Sequence, residues 1–218
     1  MWQGKRMSIL GDSISTYRGV SDDGEARESI RYNPWRYSDP FPQEKTYWQR
    51  VIDEWGMVLC VNNSWSGGNL SGRDNPDAGV NRAEQLARDD GTAPDFVILF
   101  MGINDLGRGV DVTVFKEDYQ KALQTVAKNH PAAFVCCINL PDRDRRIRAR
   151  TMAFNAAIQN AAEAMGERFF VADLFSSILK DDFYYDNTTD GLHPNEYGMR
   201  YIAEVVIDAM QKVCPSSL

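Results

Sequence analysis

The sequence predicts an α/β fold, a five-stranded parallel sheet with helices on both faces, and three observations carry the prediction. Apolar runs and amphipathic segments alternate five times along the 218 residues, as a series of strand-crossover-strand units requires. The runs are near-continuous rather than alternating apolar and polar, which marks strands buried on both sides. The first three runs end in polar, glycine-bearing tips, and open parallel sheets gather ligands beyond the carboxyl ends of their strands.

Residues 7–10 form the first strand, which stops abruptly at Gly11-Asp12-Ser13-Ile14-Ser15. Residues 17–45 follow without a helical period, rich in aromatic rings among Gly, Pro, Ser and Asp, and read as a loop of a length uncommon inside compact domains. Tyr47, Trp48, Val51, Ile52 and Trp55 recur at helical spacing over 46–55, and Gly56 closes that helix. The second strand, 57–61, leads into a turn at Asn62-Asn63-Ser64-Trp65-Ser66-Gly67-Gly68.

A helix is expected over 80–89, and 94–101 is the clearest buried strand, ending at Gly102-Ile103-Asn104-Asp105. Val112, Phe115, Tyr119, Leu123 and Val126 describe one stripe of a helix that ends near His130-Pro131. A fourth strand is expected at 133–140, a helix at 147–165 closed by Gly166, and a fifth strand at 169–171. Pro194 suits the first position of a final helix whose apolar face is Tyr201, Ile202, Val205, Ala209 and Val213.

Composition excludes several classes. With 43% apolar residues and 25% charged, the chain can build a substantial core and reads as one domain over 1–218. A net charge of −7 repels polyanions, and no basic cluster interleaves with aromatics, so no nucleic-acid partner is expected. Cys60, Cys136, Cys137 and Cys214 are too scattered for a disulfide framework and lack Cys-x-x-Cys spacing. They read as buried free thiols, and no metal or other cofactor is expected. The N-terminus shows no apolar signal region and no run approaches a membrane span, so a cytoplasmic location is expected.

A serine hydroxyl needs a base, and the base needs a group to orient it. Only two histidines are present. His130 closes a helix, where its charge would suit the dipole, and reads as structural. His193 follows Asp190 by three residues in Asp190-Gly191-Leu192-His193-Pro194, a spacing that lets the carboxylate take the imidazole Nδ1 and leaves Nε2 for a hydroxyl. Taken alone, the pair reads equally as a turn and helix cap. Oxyanion donors are at hand in the backbone N–H groups of Ser13 and Gly67 and in the Asn104 amide. Individually Gly67 reads as a turn glycine and Asn104 as an Asx-turn residue, while Asp12 and Asp105 read as carboxylates that fix their own turns.

Taken together and in order, Gly11-Asp12-Ser13-Ile14, the turn at 62–67, Gly102-Ile103-Asn104-Asp105 and Asp190-Gly191-Leu192-His193-Pro194 resemble the four motif blocks of the SGNH hydrolases, the GDSL esterases and lipases. The resemblance implies a flavodoxin-like three-layer α/β/α sandwich and ester hydrolysis through a serine acyl-enzyme. It makes Ser13 the nucleophile, His193 the base and then the acid, Asp190 its orienting carboxylate, and Ser13, Gly67 and Asn104 the oxyanion hole. Ile14 stands where the motif usually has Leu, and Ser64 where the second block often has Gly, which leaves open whether Gly67 or Gly68 faces the oxyanion.

Substrate contacts are expected from rings at the rim: Tyr17, Tyr32, Trp35, Tyr37, Trp65 and the triplet Phe183-Tyr184-Tyr185, with Tyr17, Trp35, Trp65 and Tyr185 the chosen candidates. Loops that are aromatic and polar rather than aliphatic point to a short-acyl ester, such as acetyl, on a small molecule or glycan. The alternatives are a lysophospholipase or thioesterase, a sugar O-acyltransferase using the same triad, and a carbohydrate-binding protein with a decayed site.

Overall fold

The computed structural model describes residues 2–16, 42–142, 144–178 and 187–213. Most of the long loop expected at 17–45 lies outside these residues, as do Cys214 and the aromatic triplet at 183–185.

Five strands, β1 (Arg6–Gly11), β2 (Val58–Ser64), β3 (Phe96–Phe100), β4 (Phe134–Ile138) and β5 (Phe169–Ala172), form one sheet in the order β2-β1-β3-β4-β5. Every pairing is parallel. The order runs one way from β1 to β2 and the other way from β3 onward. Right-handed crossovers then require the first connection on one face and the later ones on the opposite face. The packing agrees: α1 (Tyr47–Trp55) rests on the last helix, α7 (Glu196–Val213), while α2 (Gly79–Arg82), α4 (Val112–Asn129) and α5 (Arg148–Ala164) pack together. Two short helices, α3 (Ile103–Arg108) and α6 (Leu174–Ile178), follow β3 and β5 directly.

Central β3 is buried at every position, as its run of five apolar residues demands. Between α4 and α5, Phe115 stacks on Phe154 with ring centroids 4.4 Å apart. Helix α1 begins where the Thr46 side chain accepts from Gln49 N–H and ends at Gly56, whose φ of 60° is the left-handed cap. Cys60, Cys136 and Cys137 are buried free thiols.

Several boundaries differ from expectation. Strand β2 continues through Asn62 and Ser64, because their side chains find partners inside: Asn62 Nδ2 donates to Ser15 O at 2.9 Å and Ser64 Oγ to Asn62 Oδ1 at 2.6 Å. Being an edge strand, β2 is buried only at alternate positions, Cys60, Asn62 and Ser64. The helix expected at 80–89 is the single turn α2, cut short as the chain turns to place Leu86 O where Ser8 Oγ donates to it at 2.7 Å. Pro194 is not the first residue of α7. It pairs with Thr188 in an antiparallel bridge, and Asn195 caps the helix by accepting from Tyr197 and Gly198 N–H at 3.0 and 3.1 Å. The buried face of α7 keeps Ile202 and Ala209 of the expected stripe and adds Met199, Val206 and Met210, while Tyr201 and Val205 are partly buried.

Candidate active site

Strand register places the site. Gly11 pairs with Ser64 on one side and Phe100 on the other, so β1, β2 and β3 release the chain at one level. This is also where the strand order reverses, the crevice in which open α/β sheets bind ligands. Gly11 is required there, because a Cβ would lie 2.5 Å from Ser15 Cβ and 2.6 Å from Ser64 Oγ.

Ser13 stands in the turn that follows. Asp12 Oδ1 accepts from Ile14 N–H at 3.0 Å, Ser15 N–H donates to Asp12 O at 3.1 Å, and Thr16 Oγ1 donates to Ser13 O at 2.8 Å. The Ser13 N–H has no hydrogen-bond partner among the described residues. Ser13 Oγ lies 3.0 Å from His193 Nε2, and His193 Nδ1 lies 2.7 Å from Asp190 Oδ2.

His193 is held by a small hairpin over 187–195, in which Thr189 N–H donates to His193 O and Asn195 N–H to Asn187 O, both at 2.9 Å. Asp190 Oδ1 also accepts from the N–H groups of Leu192 and His193 at 2.9 and 2.8 Å. Partial burial works against its charge, but these bonds and the imidazole outweigh it and hold the carboxyl below its ordinary range.

At the tip after β2 the two glycines differ in their hydrogen bonding. Gly68 N–H is engaged by Trp65 O at 3.0 Å, whereas the Gly67 N–H has no partner among the described residues. Gly67 has φ of 71°, a conformation that side-chain-bearing residues rarely adopt. Asn104, on the first turn of α3, donates from Nδ2 to Gly68 O at 3.0 Å and reaches Asp12 Oδ2 at 3.4 Å.

The two flanking carboxylates are both buried. Burial pushes Asp12 up to about 7, against the opposing pull of the Ile14 N–H and the Arg82 guanidinium. Asp105 is also raised by burial, and it does not fix its own turn. It accepts from Leu70 and Ser71 N–H, each at 2.8 Å, and so ties α3 to the loop after β2. His130 is likewise not a charged helix cap: burial favours its neutral form.

Sequence reasoning missed Arg82, which is 1% exposed beneath the strand tips. Its guanidinium donates to Asp77 O, Asn63 O and Gly11 O at 2.8, 2.6 and 3.1 Å, and so joins the ends of β1 and β2. The sequence placed it only within the helix expected at 80–89. Tyr197, 62% exposed on the first turn of α7, was also passed over. Of the rim candidates, Trp65 is partly buried with the Arg82 guanidinium 5.9 Å from its ring centroid, while Tyr17, Trp35 and Tyr185 lie outside the described residues. A small apolar hollow adjoins the site, lined in part by Ile14, Phe100, Leu174, Pro194 and Tyr201.

The Ser-His-Asp chain stands where the order of the parallel sheet reverses. The chain belongs to the GDSL-like lipase/acylhydrolase family, whose model matches residues 9–201, and is therefore an esterase-class enzyme. No curated protein sequence matches significantly.

Solved structures share the fold. A GDSL-like lipase candidate from Bacteroides ovatus superposes with a TM-score of 0.73 at 22% identity, over 96% of this chain and 99% of that one. A carbohydrate esterase family 2 enzyme with a carbohydrate-binding domain, from Myceliophthora fergusii, gives 0.68 at 20% identity over 96% of this chain and 66% of that one. The psychrotrophic esterase EstA from Pseudoalteromonas sp. gives 0.64 at 18% identity, over 95% and 97%.

Proposed function

We propose that the chain hydrolyses short-acyl esters, acetyl above all, through an acyl-enzyme on Ser13, with a carbohydrate or small molecule as the alcohol. The observation that carries the reading is the unbroken chain Ser13 Oγ, His193 Nε2, His193 Nδ1, Asp190 Oδ2, with links of 3.0 and 2.7 Å. With Asp190 holding the Nδ1 proton, Nε2 takes the Ser13 proton as Oγ attacks the ester carbonyl, then returns it to the departing alkoxide. Water deprotonated by the same nitrogen cleaves the acyl-enzyme and regenerates Ser13.

Charge developing on the carbonyl oxygen is met by the N–H groups of Ser13 and Gly67 and by Asn104 Nδ2. One Nδ2 proton is held by Gly68 O, and the other, facing Asp12 at 3.4 Å, makes only a weak bond and is the one offered to substrate. The apolar hollow beside Ile14 suits a short acyl tail. Trp65, at the tip after β2, and Tyr197, exposed on the first turn of α7 with the Arg200 guanidinium 5.5 Å from its ring centroid, offer ring surface for a sugar. The likeness to a carbohydrate esterase supports the same alcohol class.

The test pairs a fluorophosphonate probe and peptide mapping with turnover of p-nitrophenyl acetate and decanoate. Label on Ser13, loss of about 10⁴ or more in rate for Ser13→Ala, and preference for acetate are expected. Undiminished turnover by Ser13→Ala would sink the catalytic reading, and preference for decanoate the short-acyl part alone.

A further inference from the structure

Helix α3 reaches the loop after β2 through three side chains. Positions 104, 105 and 108 lie on adjoining faces of a helix, and each contacts the chain between 67 and 71. Asn104 binds Gly68 O, Asp105 receives the N–H groups of Leu70 and Ser71, and Arg108 Nη1 donates to Gly67 O at 2.7 Å and also to Asn69 Oδ1. Asn104 and Asp105 belong to the motif at 102–105. Arg108 does not.

Gly67 is the point in this loop that most needs an external hold. It has no side chain, its φ is 71°, and its N–H has no partner among the described residues. Glycine loses more conformational freedom on ordering than any other residue. Its position is therefore set from outside, by the Gly68 N–H bond to Trp65 O and by the Arg108 guanidinium on its own carbonyl. Because Arg108 and Asn104 share a short helix, one rigid element carries the amide of one oxyanion donor and the tether of another.

We propose that Arg108 is a positioning residue for the oxyanion hole, holding the Gly67 N–H in convergence with Asn104 Nδ2. The inference rests on the catalytic reading above. Arg108 is exposed, so its removal leaves the core intact.

Arg108→Ala and Arg108→Lys in the full chain are assayed with p-nitrophenyl acetate and by urea unfolding. For Arg108→Ala, kcat falls about 10-fold to 100-fold, below or near the loss seen when a whole oxyanion donor is deleted, with KM and the unfolding midpoint little changed. Added methylguanidinium restores part of that kcat and leaves the wild type unaffected. Arg108→Lys, with a point donor in place of the fork, gives an intermediate kcat.

A kcat for Arg108→Ala within about two-fold of wild type overturns the proposal, and so does a rise in KM alone, which would make Arg108 a substrate contact. Active Ser13→Ala protein would instead remove the underlying reading. Inactive Ser13→Ala beside fully active Arg108→Ala defeats the Arg108 proposal and leaves the catalytic reading standing.

Discussion

Asp190 carries two tasks on its two oxygens: Oδ1 takes main-chain N–H groups and Oδ2 takes the imidazole. Replacement by Asn would keep an acceptor for the turn yet present a neutral amide to Nδ1, which favours the wrong tautomer. Asp190→Asn is expected to fold normally, judged by circular dichroism and urea midpoint, while kcat for p-nitrophenyl acetate drops by up to about 10⁴. A loss under about ten-fold would remove Asp190 from the proposed triad. That Asp190, His193 and Ser13 meet was legible because few candidates existed: with two histidines, and one of them at a helix end, the spacing to Asp190 and the ordered motifs left one pairing to expect. Arg82 and Arg108 were illegible for the opposite reason. Their partners are main-chain carbonyls distant in sequence, and no residue pattern marks a carbonyl as a partner.

At the scale of elements, the turn after β1 depends on close packing rather than on propensity. Adding one methyl at Gly11 drives a Cβ into Ser15 and Ser64, whose hydroxyls bind Tyr47 OH and Asn62. Gly11→Ala is expected to lower stability by about 1–3 kcal/mol, the usual range for overpacking, and to slow turnover by displacing the Ser13 turn. Urea unfolding beside p-nitrophenyl acetate kinetics measures both, and an unchanged midpoint would contradict the steric account. The amphipathic helices α1, α4 and α5 and the apolar strands were readable from period and run length. The end of β2 and the single turn of α2 were not, since Asn62, Ser64 and Arg82 are polar residues whose burial is repaid by partners on other elements.

For the whole molecule, two buried groups give stability opposite dependences on pH. The folded chain holds the Asp12 proton up to about 7, whereas the unfolded carboxyl releases it near 3.8. Stability from this group is fully present below 3.8 and is lost as pH rises toward about 7. His130, kept neutral by burial, acts in reverse: as pH falls below 6.5 the unfolded chain binds the proton first, and stability declines. Asp12→Asn should therefore gain on wild type as pH rises from 3.8 toward about 7, and His130→Gln should gain as pH falls below 6.5, in urea unfolding midpoints. Curves parallel to wild type would contradict both assignments. Among the described residues no helix is long and apolar enough to cross a membrane. The sheet class was legible from alternation; the order β2-β1-β3-β4-β5 is the flavodoxin-like one that the resemblance implied, since apolar runs by themselves carry no record of their neighbours.

Ser13 and His193 meet across 180 positions of sequence. Translation makes the hydroxyl well before the imidazole, so a nascent chain that has not yet reached position 193 holds Ser13 as an ordinary alcohol, without the base proposed for it.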